Sequence, residues 1–305
     1  MGEKAVEVLL STFNGARYLH ALLTSVLEQE YGGLRFLIRD DGSTDGTPEL
    51  LAAYESLPGV RVIYGENIGV IRSFFTLLQE VDNNVAYVAL CDQDDVWKAD
   101  KISRAVATLE PLTGLNKPAL YCSDQMLVDD NLRPLRSYGR VLPRPSFENA
   151  LVQNIAPGCT MVFNKQAHVH VAKEFPRRVR MHDWWIYQVV SGVGEVVYDD
   201  YPTILYRQQV GNVVGSAATP FGRWFRRLRR FAEGQDKHLI TEQAGELLRI
   251  HGASLDNRKS EILARFLSGR DTLAARIHYA VTTELRRQTF PENAALRLLI
   301  VLNRV

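Results

Sequence analysis

Residues 85–101 read VAYVALCDQDDVWKADK, an apolar run that ends in three carboxylates and is followed by a helical pattern. The same order of apolar run, polar cluster and helical pattern occurs three times before it, starting from the apolar runs 5–12, 34–38 and 60–65. Continuous apolar strands that alternate with helices indicate a parallel sheet covered by helices on both faces. The first hundred or so residues therefore predict an α/β fold with a Rossmann-like, mostly parallel central sheet flanked by helices.

Each of these four predicted strands is followed by a cluster of polar or acidic residues. In parallel α/β sheets the ligand site lies outside the carboxyl ends of the strands, so the clusters are expected to converge on one edge. In chain order the clusters are Thr12-Phe13-Asn14, Asp40-Asp41-Gly42-Ser43, Glu66-Asn67 and Asp92-Gln93-Asp94-Asp95. The sequence therefore predicts a ligand site at that edge.

The carboxylates Asp92, Asp94 and Asp95 have three interpretations. Helix capping explains one or two of them, because Asp is favoured at an N-cap and in a first helical turn, but it does not explain three at a strand end. A calcium loop that starts at Asp92 is excluded, because Trp97 replaces the required glycine and Ser103 replaces the final glutamate. The third interpretation is a divalent cation bound through one or two carboxylates and a substrate diphosphate. The local sequence leaves capping and the metal–diphosphate site open.

The pair Asp40 and Asp41 also has two interpretations. An acidic side chain at the end of the second strand can accept hydrogen bonds from a ribose hydroxyl or a base N–H. The same stretch, DDGST, is rich in turn and cap residues, and a calcium loop that starts at Asp41 fails because Ala52 stands at the glutamate position. The chain has no GxGxxG or GxxxxGK[ST] loop, so the phosphates of a nucleotide bound here would be held by a metal.

The HDWW sequence of residues 182–185 is a further candidate site. Asp183 precedes an apolar aromatic run, which is typical of a helix N-cap. It is also a candidate general base, because desolvation by Trp184 and Trp185 would raise the pKa of its carboxylate. The sequence alone favours the cap.

Taken in order, seven motifs resemble family 2 glycosyltransferases with a GT-A fold, and DQDDVW with a downstream HDWW is most similar to bacterial rhamnosyltransferases. The motifs extend from residue 5 to about residue 216 and are STFNG, IRDDGSTDGT, ENIGV, LCDQDDVWKADK, PGCTMVFN, HDWW and YRQQVGNVVG. The resemblance implies an inverting, metal-dependent glycosyltransferase of bacterial cell-surface polysaccharide biosynthesis, with L-rhamnose from dTDP-rhamnose as the expected donor sugar. It implies a dTDP- or UDP-linked donor, a saccharide or lipid-linked saccharide acceptor, and Mg²⁺ or Mn²⁺ as cofactor.

The resemblance also implies roles for individual residues. Asp94 would be the direct metal ligand, Asp92 would lie nearer the ribose or a metal water, and Asp95 is left to helix capping. Asp183 would be the catalytic base. The residues implied to bind the nucleotide sugar are Thr12, Phe13, Asn14, Asp40, Asp41, Asn67, Gly69, Asp92, Gln93 and Lys101. Those implied on the acceptor side are Gly158, Cys159, His182, Trp184 and Trp185.

One stretch departs from the family pattern. Family members commonly have YRQHGNN after the base, whereas residues 206–212 read YRQQVGN, with Gln209 and Val210 in place of His and Gly. Two alternatives stay open: a transferase that uses another donor such as a UDP-hexose, and a catalytically weak sugar-nucleotide-binding protein. A sugar nucleotidyltransferase would need a Gly-rich loop bearing Arg and Lys after the first strand, and STFNGARYL is a poor match to it.

The pattern predicts a glycosyltransferase domain over residues 1–215 and a helical C-terminal region over residues 216–305. Within the domain, residues 1–117 form the predicted nucleotide-sugar-binding half, and residues 118–215 form a mixed α/β half that carries the acceptor and catalytic residues. In the C-terminal region, FGRWFRRLRRF (221–231) interleaves five arginines with aromatic residues, which favours a helix on an anionic membrane surface over a solvated charged face.

Composition limits the remaining function classes. The net charge of +1 gives no sign of a nucleic-acid partner. The three cysteines, Cys91, Cys122 and Cys159, are widely spaced in apolar runs, which indicates buried thiols in a reducing compartment. The N-terminus lacks a signal-peptide pattern, and no apolar segment reaches the roughly 20 residues of a membrane helix. The expected location is the cytoplasm, with peripheral contact at the cytoplasmic face of the inner membrane.

Overall fold

The computed structural model of the chain describes residues 3–135, 142–208, 238–268 and 271–305. These residues form two compact units. The first unit holds the described residues of 1–137, 156–175 and 194–207, and the second holds those of 138–155, 176–193 and 208–305. The domain boundaries read from the sequence, at residues 117 and 215, stay predictions.

The first unit is built on an eight-stranded mixed sheet with the strand order β3-β2-β1-β4-β7-β6-β8-β5. The strands are β1 Val6–Thr12, β2 Leu34–Asp40, β3 Val60–Tyr64, β4 Tyr87–Cys91, β5 Val96–Trp97, β6 Ala119–Val128, β7 Val162–Asn164 and β8 Glu195–Arg207. Strands β1 to β4 pair in parallel, whereas β7 and β5 pair antiparallel to their neighbours. The predicted α/β fold class and the first four predicted strands are confirmed.

The helices follow the apolar spacing of the sequence. They are α1 Ala16–Leu27, α2 Thr47–Glu55, α3 Val70–Gln79, α4 Lys101–Gly114, α5 Phe147–Ala150, α6 Lys165–Val171, α7 His182–Val193, α8 Leu239–His251, α9 Asn257–Leu267, α10 Leu273–Thr282 and α11 Phe290–Val301. In α1, for example, Leu19, Leu22 and Val26 are fully buried and pack with Val8 and Leu10 of β1. A three- to four-residue apolar repeat lines one face of a helix, which explains why this segment is helical and which face covers the sheet.

The second half of the sheet differs in detail from its sequence pattern. The two strands expected around residues 195–207 form a single strand, β8, which pairs in parallel with β6. The DDYP sequence at 199–202 is typical of a turn, but a shift of register places Pro202 opposite Asp124 and lets the strand continue. The strand expected over residues 158–164 begins with a 3₁₀ turn, Gly158–Thr160, before β7.

The second unit is helical apart from its loops, and α7 lies at its core. Trp184 Nε1 donates to the Ala150 carbonyl (2.7 Å), and Gln243 Nε2 of α8 donates to Gln188 Oε1 (2.9 Å). Lys259 Nζ of α9 donates to the Gly192 carbonyl at the other end of α7 (2.8 Å). The described part of residues 216–305 is helical, as the sequence predicts.

The register of the first unit brings the predicted polar clusters to one edge. Thr12 at the end of β1 pairs with Asp40 at the end of β2, and Asp40 pairs with Tyr64 at the end of β3. Leu10 of β1 pairs with Cys91, the last residue of β4. The four carboxyl ends therefore lie side by side, and the loops that leave them form the candidate site.

Candidate functional site

The loops that follow β1 and β2 are joined by Asn14. Its backbone N–H donates to Ser43 Oγ (2.9 Å), and its side-chain Oδ1 accepts from the Thr44 N–H (2.8 Å). Asn14 has a φ of 49°, in the left-handed region that Asn enters more readily than most residues. The side chain predicted to line the nucleotide pocket thus also sets the shape of the loop.

Gln93 connects the loop after β4 to the end of β1. Its Oε1 accepts from Thr12 Oγ1 (2.8 Å) and from the Phe13 N–H (2.9 Å), and its Nε2 donates to the Phe13 carbonyl (3.2 Å). Gly15 is needed beside this contact, because a Cβ at that position would lie 2.6 Å from Gln93 Oε1. Thr12 is buried, while the Phe13 side chain is 43% exposed at the edge of the sheet.

Asp41 is buried and its carboxylate is held by the protein. It forms an ion pair with the buried guanidinium of Arg39, and it accepts hydrogen bonds from the backbone N–H groups of Ile68 (3.0 Å) and Gly69 (2.9 Å). Arg39 in turn donates to the Glu66 carbonyl (3.0 Å). Asp41 and Arg39 therefore fix the loop between β3 and α3.

Asp40 and Asn67 are the other predicted donor contacts near this loop. Asp40 is buried and accepts hydrogen bonds from the N–H (3.1 Å) and the hydroxyl group of Ser43, which is the turn arrangement expected for DDGS. Asn67 is exposed, and its Oδ1 accepts from the Gly69 N–H (3.1 Å). Gly69 has a φ of 81° directly before α3, a conformation that favours glycine.

The acidic residues after β4 form a second, different cluster. One oxygen each of Asp92 and Asp95 and the sulfur of Cys159 lie within 4.8 Å of one another. Asp95 is buried, and one of its oxygens accepts from the Arg207 N–H (3.3 Å), whereas Oδ2 accepts from no N–H or O–H donor among the residues that the structure describes. Burial, and then the neighbouring charges of Asp92 and Asp94, raise the pKa of the Asp95 carboxyl well above its usual value. The Cys159 thiol lies beside this carboxyl group and lowers its pKa in part.

These residues fit a hard divalent cation. Carboxylate oxygens are the ligands that Mg²⁺ and Mn²⁺ prefer, and such ions are commonly bound through one or two carboxylates plus substrate phosphates. The buried Oδ2 of Asp95 and the mutual repulsion of the three carboxylates both indicate missing positive charge. Asp92, which belongs to this cluster, and Asp94, whose charge acts on Asp95, are both half-buried and thus partly open to a ligand at the surface.

Lys101 lies inside the protein next to this cluster, and this position differs from its predicted contact with the nucleotide sugar. Its side chain is fully buried, its ammonium group donates to the Cys159 carbonyl, and Nζ lies 3.6 Å from the centre of the Trp97 ring. Burial lowers the pKa of Lys101 to about 8, and the nearby thiols and carboxylates partly oppose this shift. Lys101 therefore supplies positive charge from beneath the site rather than at its surface.

The assignment of Asp95 to helix capping is wrong. Helix α4 begins at Lys101 and its N-cap is Asp100, so Asp95 precedes the helix and is separated from it by the short strand β5. The pairing of β5 with β8 places Asp95 next to Arg207. Asp95 therefore accepts a hydrogen bond from the Arg207 N–H instead of capping a helix.

Gly158 and Cys159, predicted on the acceptor side, are both buried in the 3₁₀ turn of the first unit. The Cys159 thiol faces Asp92 and Asp95, and its carbonyl accepts from Lys101. Their positions thus place them with the carboxylate cluster.

In the second unit, Asp183 lies in the first turn of α7, one residue after the helix begins, and not at the predicted N-cap position. It is half-buried, and its Oδ1 accepts from the Trp184 N–H (2.6 Å). His182 and Trp185 are buried, and the ring of Trp185 lies 5.9 Å from that of His251. Burial lowers the pKa of His182 to about 3, so its imidazole is neutral at physiological pH.

Two predicted features lie outside the described residues: the departure at Gln209 and Val210, and the arginine-rich segment 221–231. No helix among the described residues is long and apolar enough to cross a membrane.

Two residues that the sequence did not single out are part of the site. Arg39 is the cationic partner of Asp41, and the signal that could have indicated it is a cationic residue directly before the acidic pair at the end of the strand LRFLIRD. Arg207 supplies the backbone N–H to Asp95, and its guanidinium lies 5.0 Å from the centre of the Tyr18 ring. Nothing in the local sequence indicates the Arg207 contact, because it depends on the pairing of β5 with β8.

Comparisons with known proteins identify the family and the fold of this chain. A sequence profile described as glycosyl transferase family 2 matches residues 7–168. Among curated proteins, the dTDP-rhamnosyl transferase RfbG of Shigella flexneri is 29% identical over 223 residues, which is 68% of this chain and 74% of RfbG.

Two solved structures show the same fold at low sequence identity. The structure of S. aureus TarS 1–349 in complex with UDP-GlcNAc has a TM-score of 0.58 at 15% identity, over 97% of this chain and 81% of that one. The mannosyltransferase PcManGT from Pyrobaculum calidifontis, in complex with GDP-Man and Mn²⁺, has a TM-score of 0.52 at 19% identity, over 98% and 80%. The fold is GT-A, and since the family profile matches more than half of its residues, this chain belongs to glycosyl transferase family 2.

Proposed function

We propose that this protein is an inverting, metal-dependent glycosyltransferase that moves L-rhamnose from dTDP-rhamnose to a saccharide acceptor in bacterial cell-surface polysaccharide biosynthesis. The observation that carries the metal dependence is the carboxylate cluster after β4, in which Asp95 keeps a buried oxygen without an N–H or O–H donor among the described residues. The similarity to a protein named as a dTDP-rhamnosyl transferase supports the donor. A UDP-hexose is the alternative donor.

In the proposed donor site, Asp92 and Asp94 hold the cation and Asp95 adds negative charge from below. A Mg²⁺ or Mn²⁺ ion bound there supplies the positive charge that joins an acidic edge to a diphosphate and stabilises the departing nucleotide. The nucleoside is proposed to lie along the loops after β1, β2 and β3, where Phe13 offers an exposed ring and Asn14 and Asn67 offer exposed polar groups. Asp40 and Asp41 act mainly by holding these loops in place, because both carboxylates already accept hydrogen bonds from the protein.

The proposed reaction is a single displacement. The acceptor hydroxyl oxygen forms a bond to the anomeric carbon of the donor sugar as the bond from that carbon to the diphosphate oxygen breaks, and the bonding electrons leave with the nucleoside diphosphate. Asp183 accepts the proton of the attacking hydroxyl group, a role for which a half-buried carboxylate is suited. One displacement at the anomeric carbon inverts its configuration.

The acceptor is proposed to be a saccharide, free or linked to a lipid. The second alternative is a protein that binds a sugar nucleotide with little turnover. Calorimetry with nucleoside diphosphates and Mn²⁺, followed by an assay of metal-dependent hydrolysis over a panel of nucleotide sugars, separates binding from turnover and identifies the donor. Binding without hydrolysis or transfer of any sugar in the panel would favour the alternative.

The residue assignment is tested by Asp94→Ala and Asp183→Asn, with the exposed Asp271→Asn as the matched control. Loss of a metal ligand or of a general base is expected to reduce sugar transfer by at least about 100-fold, whereas the control stays within about twofold of wild type. Circular dichroism and thermal unfolding check that each variant is folded. Near-normal transfer by either variant would contradict the role given to that residue.

A further inference from the structure

The helices α10 and α11 of the second unit carry two exposed apolar stripes. On α10, Leu273, Ile277 and Val281 are spaced by four residues, so they lie along one side of the helix, and their exposed fractions are 55%, 47% and 71%. On the opposite side of the same helix Tyr279 is buried, and Ala280 is buried at the edge of the stripe. The helix thus presents one apolar face to the protein and a second to solvent.

Helix α11 has a similar stripe. Phe290 and Leu298 are 85% and 55% exposed and are eight residues apart, with Ala294 exposed between them on the same side. Leu296 and Ile300 on the other side of the helix are buried. Phe290 is therefore not an isolated surface residue but the first member of a row.

Arg297 joins the two stripes. Its guanidinium donates to the carbonyl groups of Ala280 and Val281 at the end of α10, the second at 3.2 Å, so the middle of α11 lies next to the last residues of the α10 stripe. Between them is an open hollow of about 490 Å³, lined by residues 283–286 and by Phe290, Asn293, Ala294 and Arg297. The exposed apolar side chains therefore belong to a single face, called here the α10–α11 face.

The charge next to this face is positive. Residues 271–305 contain five arginines and three acidic residues. Glu284 forms an ion pair with Arg258 (2.7 Å), which also pairs with Glu148, and Glu292 closes the capping box of α11 with Thr289. Arg286 and Arg297 line the hollow itself, together with one acidic residue, the paired Glu284. The face thus combines exposed apolar side chains with cationic ones.

We propose that the α10–α11 face binds the surface of a lipid bilayer that contains anionic headgroups. The apolar stripes would enter the boundary between headgroups and acyl chains, and the arginines would contact the phosphates, which is how interfacial amphipathic helices bind. Helices of 10 and 12 residues are about half the length needed to span a bilayer, so this contact lies along the surface. A second copy of the chain fits less well, because a symmetric contact would bring Arg286 and Arg297 of both copies together.

The contact does not depend on the proposed donor sugar, and it is separate from the contact expected of residues 221–231. The test is co-sedimentation of the full chain with vesicles of phosphatidylcholine and phosphatidylglycerol, and with vesicles of phosphatidylcholine alone. The triple variant Ile277→Glu/Val281→Glu/Phe290→Glu is compared with Leu115→Glu/Val169→Glu, a control that changes two exposed apolar residues of the first unit.

The triple variant is expected to reduce the ratio of bound to free protein on anionic vesicles by at least about tenfold, and the control by less than about twofold. Arg286→Gln is expected to weaken binding to the anionic vesicles by a few fold and to leave the weak binding to phosphatidylcholine unchanged. Metal-dependent hydrolysis of a soluble nucleotide sugar should be the same in all variants, which separates a failed membrane proposal from a failed enzyme assignment.

Two results would overturn the proposal. One is vesicle binding by the triple variant equal to that of wild type, with all binding lost when Arg226, Arg227, Arg229 and Arg230 are changed to Glu. The other is a dimer of the wild-type chain by multi-angle light scattering that becomes monomeric in the triple variant, which would assign the α10–α11 face to a second copy.

Discussion

The two acidic clusters at the carboxyl edge of the sheet have similar sequences, but the protein balances their negative charge to different extents. After β2, Asp41 meets a buried guanidinium and two backbone N–H groups, and Asp40 is bonded to Ser43. After β4, Asp95 is buried beside Asp92 and Asp94, and those two charges add to burial in raising the pKa of its carboxyl. The first cluster has two carboxylates beside one buried guanidinium, and the second has three beside the buried ammonium group of Lys101, so the second keeps the larger excess of negative charge.

The difference distinguishes a cluster that holds the fold together from one that we propose binds a cation. A buried carboxylate that is fully hydrogen-bonded and paired contributes to the structure around it, here the loop between β3 and α3. Carboxylates that repel one another lower the stability of the folded protein. Such arrangements are concentrated at functional sites, for example where a cation binds. The comparison can be tested by removing one charge at a time from each cluster.

The largest effect on stability is expected from Asp41→Asn. The substitution keeps the size of the side chain but leaves the buried Arg39 guanidinium without its counter-charge, and breaking a buried ion pair in this way costs about 3 kcal/mol. The free energy of unfolding, measured by urea titration, should fall by about that amount. Donor binding should weaken as well, because Asp41 holds the N–H groups of Ile68 and Gly69.

The double variant Arg39→Met/Asp41→Asn is the control for this prediction. It removes the unpaired cation as well as the carboxylate, so it should be more stable than Asp41→Asn alone. Equal or greater destabilisation of the double variant would show that the ion pair is not what makes Asp41 important.

The next largest effect is expected from His182, which lies outside both clusters. Its protonation makes stability depend on pH, and this contribution must be known before any pH dependence is assigned to the clusters. Burial holds the pKa of His182 near 3 in the folded protein, whereas in the unfolded chain it is near the ordinary value of about 6.5. The unfolded state therefore binds the proton first as the pH falls, and stability that is present above about pH 6.5 is lost progressively below it. Between pH 7 and pH 5 the loss is about 2 kcal/mol.

The variant His182→Leu should remove that part of the pH dependence, and the exposed His278→Leu should not. The measurement is urea unfolding of each protein at both pH values. If His182→Leu keeps the full slope of wild type, the buried imidazole is not its source.

Much of the fold was predictable from the sequence, because the first four strands are continuous apolar runs whose ends are marked by turn and cap residues. The edge of the sheet at which the candidate site lies follows from the same pattern, since parallel strands place their carboxyl ends together. The single strand β8 was not predictable, because its DDYP sequence is typical of a turn and only the register shift against β6 keeps it extended.

The side-chain roles were harder to predict than the positions. The spacing of Lys101 from Asp92 does not show that its ammonium group points inward to the Cys159 carbonyl, since this depends on a turn far along the chain. The same holds for Asp95, which resembles a helix cap in sequence but pairs with Arg207 through the contact between β5 and β8. Local sequence reports local structure, and these two residues are placed by long-range pairing.

The smallest effect, and the one of opposite sign, is expected from Asp95→Asn. In the absence of metal the change removes a carboxyl group whose ionised form is disfavoured by burial and by the charges of Asp92 and Asp94, and the amide still offers an oxygen to the Arg207 N–H. The amide N–H groups can also donate to a neighbouring carboxylate. The free energy of unfolding at pH 7 is therefore expected to rise by about 1 kcal/mol, whereas Asp41→Asn lowers it.

Addition of Mn²⁺ should reverse the order of wild type and Asp95→Asn. A ligand that binds only the folded state raises stability in proportion to the logarithm of its concentration over its Kd, so wild type should gain more than a variant with less negative charge at the site. Thermal unfolding over a series of Mn²⁺ concentrations measures both effects in one experiment. A loss of stability in the metal-free variant would mean that Asp95 is held like Asp41, and the distinction between the two clusters would then fail.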